Sequence, residues 1–174
     1  LATGGMAEIF KARMRGEHGF EKIAVVKRIL PHLAGDPEFV DMLIDEARLS
    51  ARLVHPKIVQ VFEFGQDAGQ YFIAMEYVEG LDCLGLLRAC AQRRARLPTP
   101  LSCFIAAEIL DALDFAHVAT DDSGAPLRLV HRDVSPSNVF ISRRGDVKLG
   151  DFGIARAMDK QRQSRSEERR VGKE

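Results

Sequence analysis

The sequence predicts an α+β fold in two unlike halves: an antiparallel sheet with one helix over residues 1–78, then a mainly helical half from residue 79. Three observations predict it. β-Branched and aromatic residues crowd the first half, at 23–29, 58–64 and 71–75, and such residues suit a half-buried pleated surface. Only 38–53 in that half repeats its apolar residues at helical spacing. After Gly80 the longest periodic stretch is helical and carries few strand signals.

Residues 9–13 read as a strand after a glycine-containing turn, and 23–29 as a second strand. Asp36 and Pro37 then start a helix, because Asp caps free N–H groups and Pro suits the first helical position. Its apolar residues are Phe39, Leu43 and Ala47, with Leu49 and Leu53 one face round, and His55-Pro56 ends it. Strands at 58–64 and 71–75 follow, joined by a turn around Gly65 to Gly69. A helix is predicted over 84–94. Another starts at Thr99-Pro100, carries Ile105, Ile109, Ala112, Leu113 and Ala116, and runs to about His117. Residues 121–124 read as a loop, and two short strands at 139–142 and 147–149 flank a turn containing Gly145. No internal repeat is visible.

At 174 residues, with 46% hydrophobic and 29% charged residues, the chain has the length and balance of one globular domain. The 25 basic and 25 acidic residues cancel, so no basic excess recommends a nucleic acid or a membrane surface as partner. No apolar run approaches the length of a membrane span. The opening residues 1–5 lack the charged and apolar regions of a signal peptide, and the absent initiator Met leads us to expect a missing N-terminus. Cys83, Cys90 and Cys103 are odd in number and have no C-x-x-C spacing, so we expect small buried hydrophobes in a reduced compartment rather than disulfides or a zinc site. Residues 165–174 are almost wholly charged and look like the in-frame translation of a sequencing adapter, so we expect a non-native tail there.

The strongest chemical signal is His131-Arg132-Asp133, with Asn138 five positions after the Asp, followed by Asp151-Phe152-Gly153. These residues resemble the eukaryotic-like protein kinase family, and within it the bacterial Ser/Thr kinases of myxobacterial type. Chance agreement at seven specified positions is roughly one in a billion at equal residue frequencies. The resemblance covers residues 1–164 and implies a bilobal fold: an N-lobe over 1–78 and a partial, mainly helical C-lobe over 79–164.

The resemblance also implies ATP and Mg²⁺ as cofactors and a protein Ser or Thr hydroxyl as acceptor. Asp133 would accept or orient the hydroxyl proton, while Asn138 and Asp151 would supply hard oxygen ligands to Mg²⁺. Lys27, at the end of the second strand, would hold the α- and β-phosphates. Glu46, on the predicted helix, would pair with Lys27. Met75 stands at the gatekeeper position, and the backbones of Glu76 and Val78 would bond the adenine edge. Ile9 and Val25 would cover the ring, with Phe140 beneath it. Asp82 is a candidate ribose contact, and Ser164 a candidate phosphoacceptor in the activation segment, where Arg132 would pair with the phosphate.

Several positions depart from the family pattern. The glycine loop keeps Gly4, with Gly5 beside it, but has Ala2 and Ala7 at the outer places; we expect weaker nucleotide binding, because the loop works by close approach of backbone N–H groups to phosphate. Ser135 replaces the lysine of most Ser/Thr kinases, so a hydroxyl donor stands where a cation would touch the γ-phosphate. Ser50 replaces an apolar residue one turn after Glu46, and we expect a looser helix. No A-P-E motif follows Gly153, so we expect an exposed helical-lobe core and an inactive fragment. The reading is therefore a Ser/Thr protein kinase in the cytoplasm, or the cytoplasmic part of a longer protein, with no membrane segment in this stretch. The alternatives are a pseudokinase or nucleotide-binding regulatory module without catalysis, which Ala2, Ala7, Ser135 and Ser50 favour, and a small-molecule phosphotransferase of related fold.

Overall fold

The computed structural model describes residues 2–3 and 7–152, and for residues 2, 3 and 46 the backbone alone. The first half forms one antiparallel sheet from β1 (Ala2–Thr3), β2 (Ala7–Arg15), β3 (Glu21–Ile29), β4 (Val61–Asp67) and β5 (Gln70–Glu76), in the order β1-β2-β3-β5-β4. The register opposes Ile9 to Lys27 and Val25 to Met75. Side chains alternate across a strand, so these four residues share one face.

Helix α1 (Pro31–Ala34) and helix α2 (Pro37–Ala51) cover the sheet. Asp36 caps α2: its Oδ1 accepts from the N–H groups of Glu38 and Phe39 at 3.1 and 3.3 Å. The helix buries Phe39, Leu43 and Ala47 against Ala7, Ile29, Leu33 and Ile73. These are the apolar residues whose spacing announced the helix.

The second half is built on a small sheet, β6 (Gly80–Asp82), β7 (Val139–Ser142) and β8 (Val147–Leu149), all antiparallel. Helix α3 (Cys83–Gln92) and helix α4 (Thr99–Val118) accompany it. Its core joins Ile105, Ala112 and Ala116 of α4 to Val139, Val147 and Leu149, with Leu53, Ile58 and Phe152 added from outside these elements. Other faces of α4 leave Phe104, Leu110 and Val118 exposed. Among the described residues no helix is long and apolar enough to cross a membrane, and the three cysteines are free, with Cys103 exposed.

The strand expected at 58–64 starts three residues later. Residues 57–59 turn instead to the second sheet, where the Val59 N–H donates to the Leu149 carbonyl at 2.9 Å and the Leu149 N–H to that of Lys57 at 2.8 Å. An apolar run says that it is buried, not against which sheet. At its far end β4 continues through Gly65 to Asp67, and the turn tightens to Ala68 and Gly69, both at positive φ. Among the short elements that escaped the sequence reading are α1, which Pro31 opens, and β6, which joins the second sheet as soon as the chain leaves β5. A Cβ on Gly80 would collide with the Ile141 carbonyl oxygen, so this strand pair needs glycine there.

The segment after α2 is also tied to α4. Lys57 Nζ lies 2.8 Å from both the Glu108 and the Asp111 carboxylates, and His55 stacks on Phe115 with ring centres 4.6 Å apart. Hydrogen bonding to Asp111 and then Glu108 raises the Lys57 pKa, and the same bond lowers that of Asp111.

Candidate active site

A cavity of about 450 Å³ opens between the two sheets, within the size range of small-molecule sites. Ile9 and Val25 line one side and Phe140 another, while Met75, Glu76, Tyr77 and Val78 form the edge where the chain crosses from β5 towards β6. The Val78 N–H and C=O meet no hydrogen-bond partner among the described residues. The edge therefore offers one donor and one acceptor beside apolar walls, which is what a flat heteroaromatic ring requires. The Glu76 carboxylate is occupied elsewhere: both of its oxygens lie 3.0 Å from Lys148 Nζ on β8. Lys148 thereby fixes this crossing segment to the second sheet.

Lys27 and Asp151 line the same cavity. Lys27 Nζ donates to both Asp151 carboxylate oxygens at 3.1 Å. Asp82 also lines the cavity, and its Oδ1 caps α3 by accepting from the Gly85 N–H at 2.5 Å. Its second oxygen accepts no hydrogen bond among the described residues. Arg88, one turn further along α3, adds an exposed guanidinium to the rim.

Asp133, Ser135 and Asn138 lie outside this lining but connect to it through Gly150, whose N–H donates to the Asn138 carbonyl at 2.9 Å. The Asn138 Nδ2 group donates to the Asp133 backbone carbonyl and to Asp133 Oδ2, both at 2.9 Å. With its donors spent on Asp133, the Asn138 amide oxygen is left as an acceptor. That oxygen and the Asp151 carboxylate are hard oxygen donors, and they fit Mg²⁺. Among the described residues no group of three or more His, Cys, Asp and Glu gathers to hold a metal, so most of an octahedral shell would come from ligand and water oxygens. Ser135 and Ser137 share a hydroxyl–hydroxyl hydrogen bond of 2.9 Å.

His131 organises both loops from beneath. It is 2% exposed, and burial lowers its pKa below that of a free imidazole. Nε2 lies 2.9 Å from the Gly150 carbonyl, and Nδ1 accepts from the Asp133 N–H at 3.3 Å. A carbonyl only accepts, so Nε2 carries the proton and the ring is neutral. The Phe152 ring packs edge-on against His131 at 4.5 Å between centres. Arg132 and Asp151, which flank this arrangement, both adopt positive φ, at 67° and 58°. Non-glycine residues hold such backbone only where their surroundings over-determine it.

Of the residues picked out from sequence, Ile9, Val25, Lys27, Met75, Glu76, Val78, Asp82, Phe140 and Asp151 therefore meet at one cavity. Asp133, Ser135 and Asn138 form the adjoining loop. Gly4, Gly5, Gly153, Ser164, the 165–174 tail and the side chain of Glu46 lie outside the described residues. Sequence reasoning missed Lys148 and Arg88 as parts of the site. The strand expected at 147–149 gives Lys148 no role, which comes only from its contact with Glu76 across 72 positions.

The sequence profile of the protein kinase domain matches residues 1–172. The chain belongs to the protein kinase family. The tyrosine-protein kinase MasK of Myxococcus xanthus is 49% identical over 157 residues, which cover 90% of this chain and 24% of MasK. The serine/threonine-protein kinase PknE of Mycobacterium bovis is 34% identical over 157 residues, covering 90% of this chain and 25% of PknE. The crystal structure of the Mycobacterium tuberculosis PknI kinase domain superposes with a TM-score of 0.68 at 35% identity, over 88% of this chain and 57% of that one. The chain thus spans about a quarter of the length of the curated relatives it matches. Its architecture is that of a bilobal kinase fold: the five-stranded sheet and α2 form the N-lobe, and the cavity lies between the lobes. Protein kinases generally use ATP and Mg²⁺.

Proposed function

We propose that this chain is the nucleotide-binding and phosphoryl-transferring part of a Ser/Thr protein kinase that acts in the cytoplasm. One observation carries the reading: Lys27 and Asp151 meet across the interlobe cavity while Asp133 and Asn138 stand joined next to it. The adenine lies between Ile9, Val25 and Phe140, with its polar edge on the backbones of Glu76 and Val78 and its ribose near Asp82. Lys27 would turn from Asp151 to the α- and β-phosphates.

In the reaction, an acceptor hydroxyl oxygen forms a bond to the γ-phosphorus as the bond to the β–γ bridging oxygen breaks. ADP leaves with that electron pair, and the hydroxyl proton passes to the Asp133 carboxylate. Asn138 and Asp151 would hold Mg²⁺, which would supply positive charge against the phosphates. The Asn138 amide holds Asp133 in place, and Ser135 donates a hydrogen bond where a lysine commonly stands.

A second acceptor, tyrosine, is favoured by the name of the 49% identical relative and by the absence of a lysine at Ser135. Labelled ATP, Mg²⁺ and the full gene product, followed by acid hydrolysis of the products, separate the two. Phosphoserine and phosphothreonine are expected. Phosphotyrosine alone would move the assignment to tyrosine, and no labelled protein at all would leave the regulatory-module reading.

A further inference from the structure

Gly150, Asp151 and Phe152 are held at three consecutive residues by three different parts of the molecule, through the backbone at 150 and 152 and through the side chain at 151. His131 Nε2 bonds the Gly150 carbonyl at 2.9 Å, Lys27 bonds the Asp151 carboxylate at 3.1 Å, and Ser50 Oγ donates to the Phe152 carbonyl at 2.9 Å. Asp151 sits between these contacts at φ 58°, a backbone state that a non-glycine residue keeps only under such constraint.

The Ser50 contact is unusual for its setting. A serine inside a helix ordinarily faces solvent or bonds the carbonyl one turn back. Ser50 instead reaches a carbonyl 102 positions away. Of the three contacts, it is the one that comes from α2. Beside it lies a cavity of about 20 Å³, lined by Ala47, Ser50, Met75, Asp151 and Phe152, room for about one water. The small side chain at 50 thus leaves space, and its hydroxyl rather than its bulk joins the helix to the loop.

From this geometry we infer that Ser50 is a positioning residue that couples helix α2 to the orientation of Asp151. The inference rests on the kinase reading for its consequence, though not for its geometry. The loosening expected from a polar residue here is offset by a directed hydrogen bond. Movement of α2 away from the sheet would break that bond and remove one of the contacts that hold the backbone around Asp151.

Ser50→Thr, Ser50→Val and Ser50→Ala in the full gene product test it, since Thr and Val differ little in shape and Val lacks the hydroxyl. Two quantities are read: amide exchange at Gly150, and the Mg²⁺ concentration that half-saturates phosphoryl transfer. Val and Ala are each expected to speed exchange and raise the half-saturating Mg²⁺ by about fivefold, the size of one ordinary hydrogen bond. Thr is expected to stay close to the parent in both. If Val and Thr behave alike in exchange, the coupling is overturned. If the parent transfers no phosphate, exchange alone decides the role of Ser50, and the kinase reading falls separately. Should Val prevent folding, Ala against Thr carries the same comparison.

Discussion

Lys27 and Asp151 lie 124 positions apart in sequence, and a two-pronged ion pair joins them across the interlobe cavity, Lys27 Nζ standing 3.1 Å from each carboxylate oxygen. The Lys27 side chain is 13% exposed and the Asp151 side chain 29%. Each charge offsets the cost of partly burying the other.

That pairing makes each partner's removal informative. Lys27→Met is expected to lower kcat/KM for phosphoryl transfer by roughly 10²–10³ and to weaken ATP binding. Asp151→Asn keeps the shape but removes the charge, so it is expected to abolish the Mg²⁺ dependence of nucleotide binding. Titration of a fluorescent ATP analogue with and without Mg²⁺ checks both. Unchanged Mg²⁺ dependence in Asp151→Asn would mean that the cation sits elsewhere.

Ser135 and Ser137 bond one another at 2.9 Å, so the loop hydroxyls are already organised. Ser135→Ala is expected to reduce kcat about fivefold, the magnitude of one hydrogen bond, with the melting temperature unchanged. Steady-state kinetics at saturating ATP read the difference.

Gly80 leaves no room for a Cβ beside the Ile141 carbonyl. Gly80→Ala is expected to force β6 from β7 and to destabilise the fold by about 1–3 kcal/mol. Asp82 rides on β6 and lines the cavity, so nucleotide affinity should fall too. Urea unfolding, compared with Gly35→Ala, where a Cβ meets nothing within 4 Å, gives the contrast.

His131 predicts a pH dependence of stability. Its folded pKa lies below the ordinary imidazole value because burial disfavours the charge. The unfolded chain therefore binds the proton more readily, and stability rises with pH through this window. The contribution is complete above about pH 6.5, the ordinary histidine value, and is lost as the pH falls from there through the folded value. Asp121, whose pKa hydrogen bonds from Ser123 and Ala125 lower, and Asp111, lowered by Lys57, act in the same direction at more acid pH. The melting temperature should fall between pH 7.5 and 5.5 in the parent and fall less in His131→Gln.

Much of the fold was legible because local signals agreed. Asp36 and Pro37 start α2 where a cap and a first-turn proline were read. The Gly145 turn separates β7 from β8 at the expected residues. The invisible parts depend on distant partners. Residues 57–59 look like strand, yet they pair with Leu149 of the other sheet. Gly80 to Asp82 form a strand only because β7 lies alongside. The same division runs through the site. Motif spacing named Asp133, Asn138 and Asp151, whereas the Lys148–Glu76 pair and the Ser50 bond span 72 and 102 positions. No local pattern encodes contacts of that length, because they exist only once the two sheets face each other.

The most direct test compares the full gene product with its Asp133→Ala variant, each given Mg²⁺, γ-labelled ATP and a generic Ser/Thr protein substrate. The parent should transfer label, and the variant should bind ATP as well as the parent while transferring about 10²–10⁴ times more slowly. Equal transfer by both, or none by the parent despite ATP binding, would contradict a phosphoryl-transfer site built on Asp133.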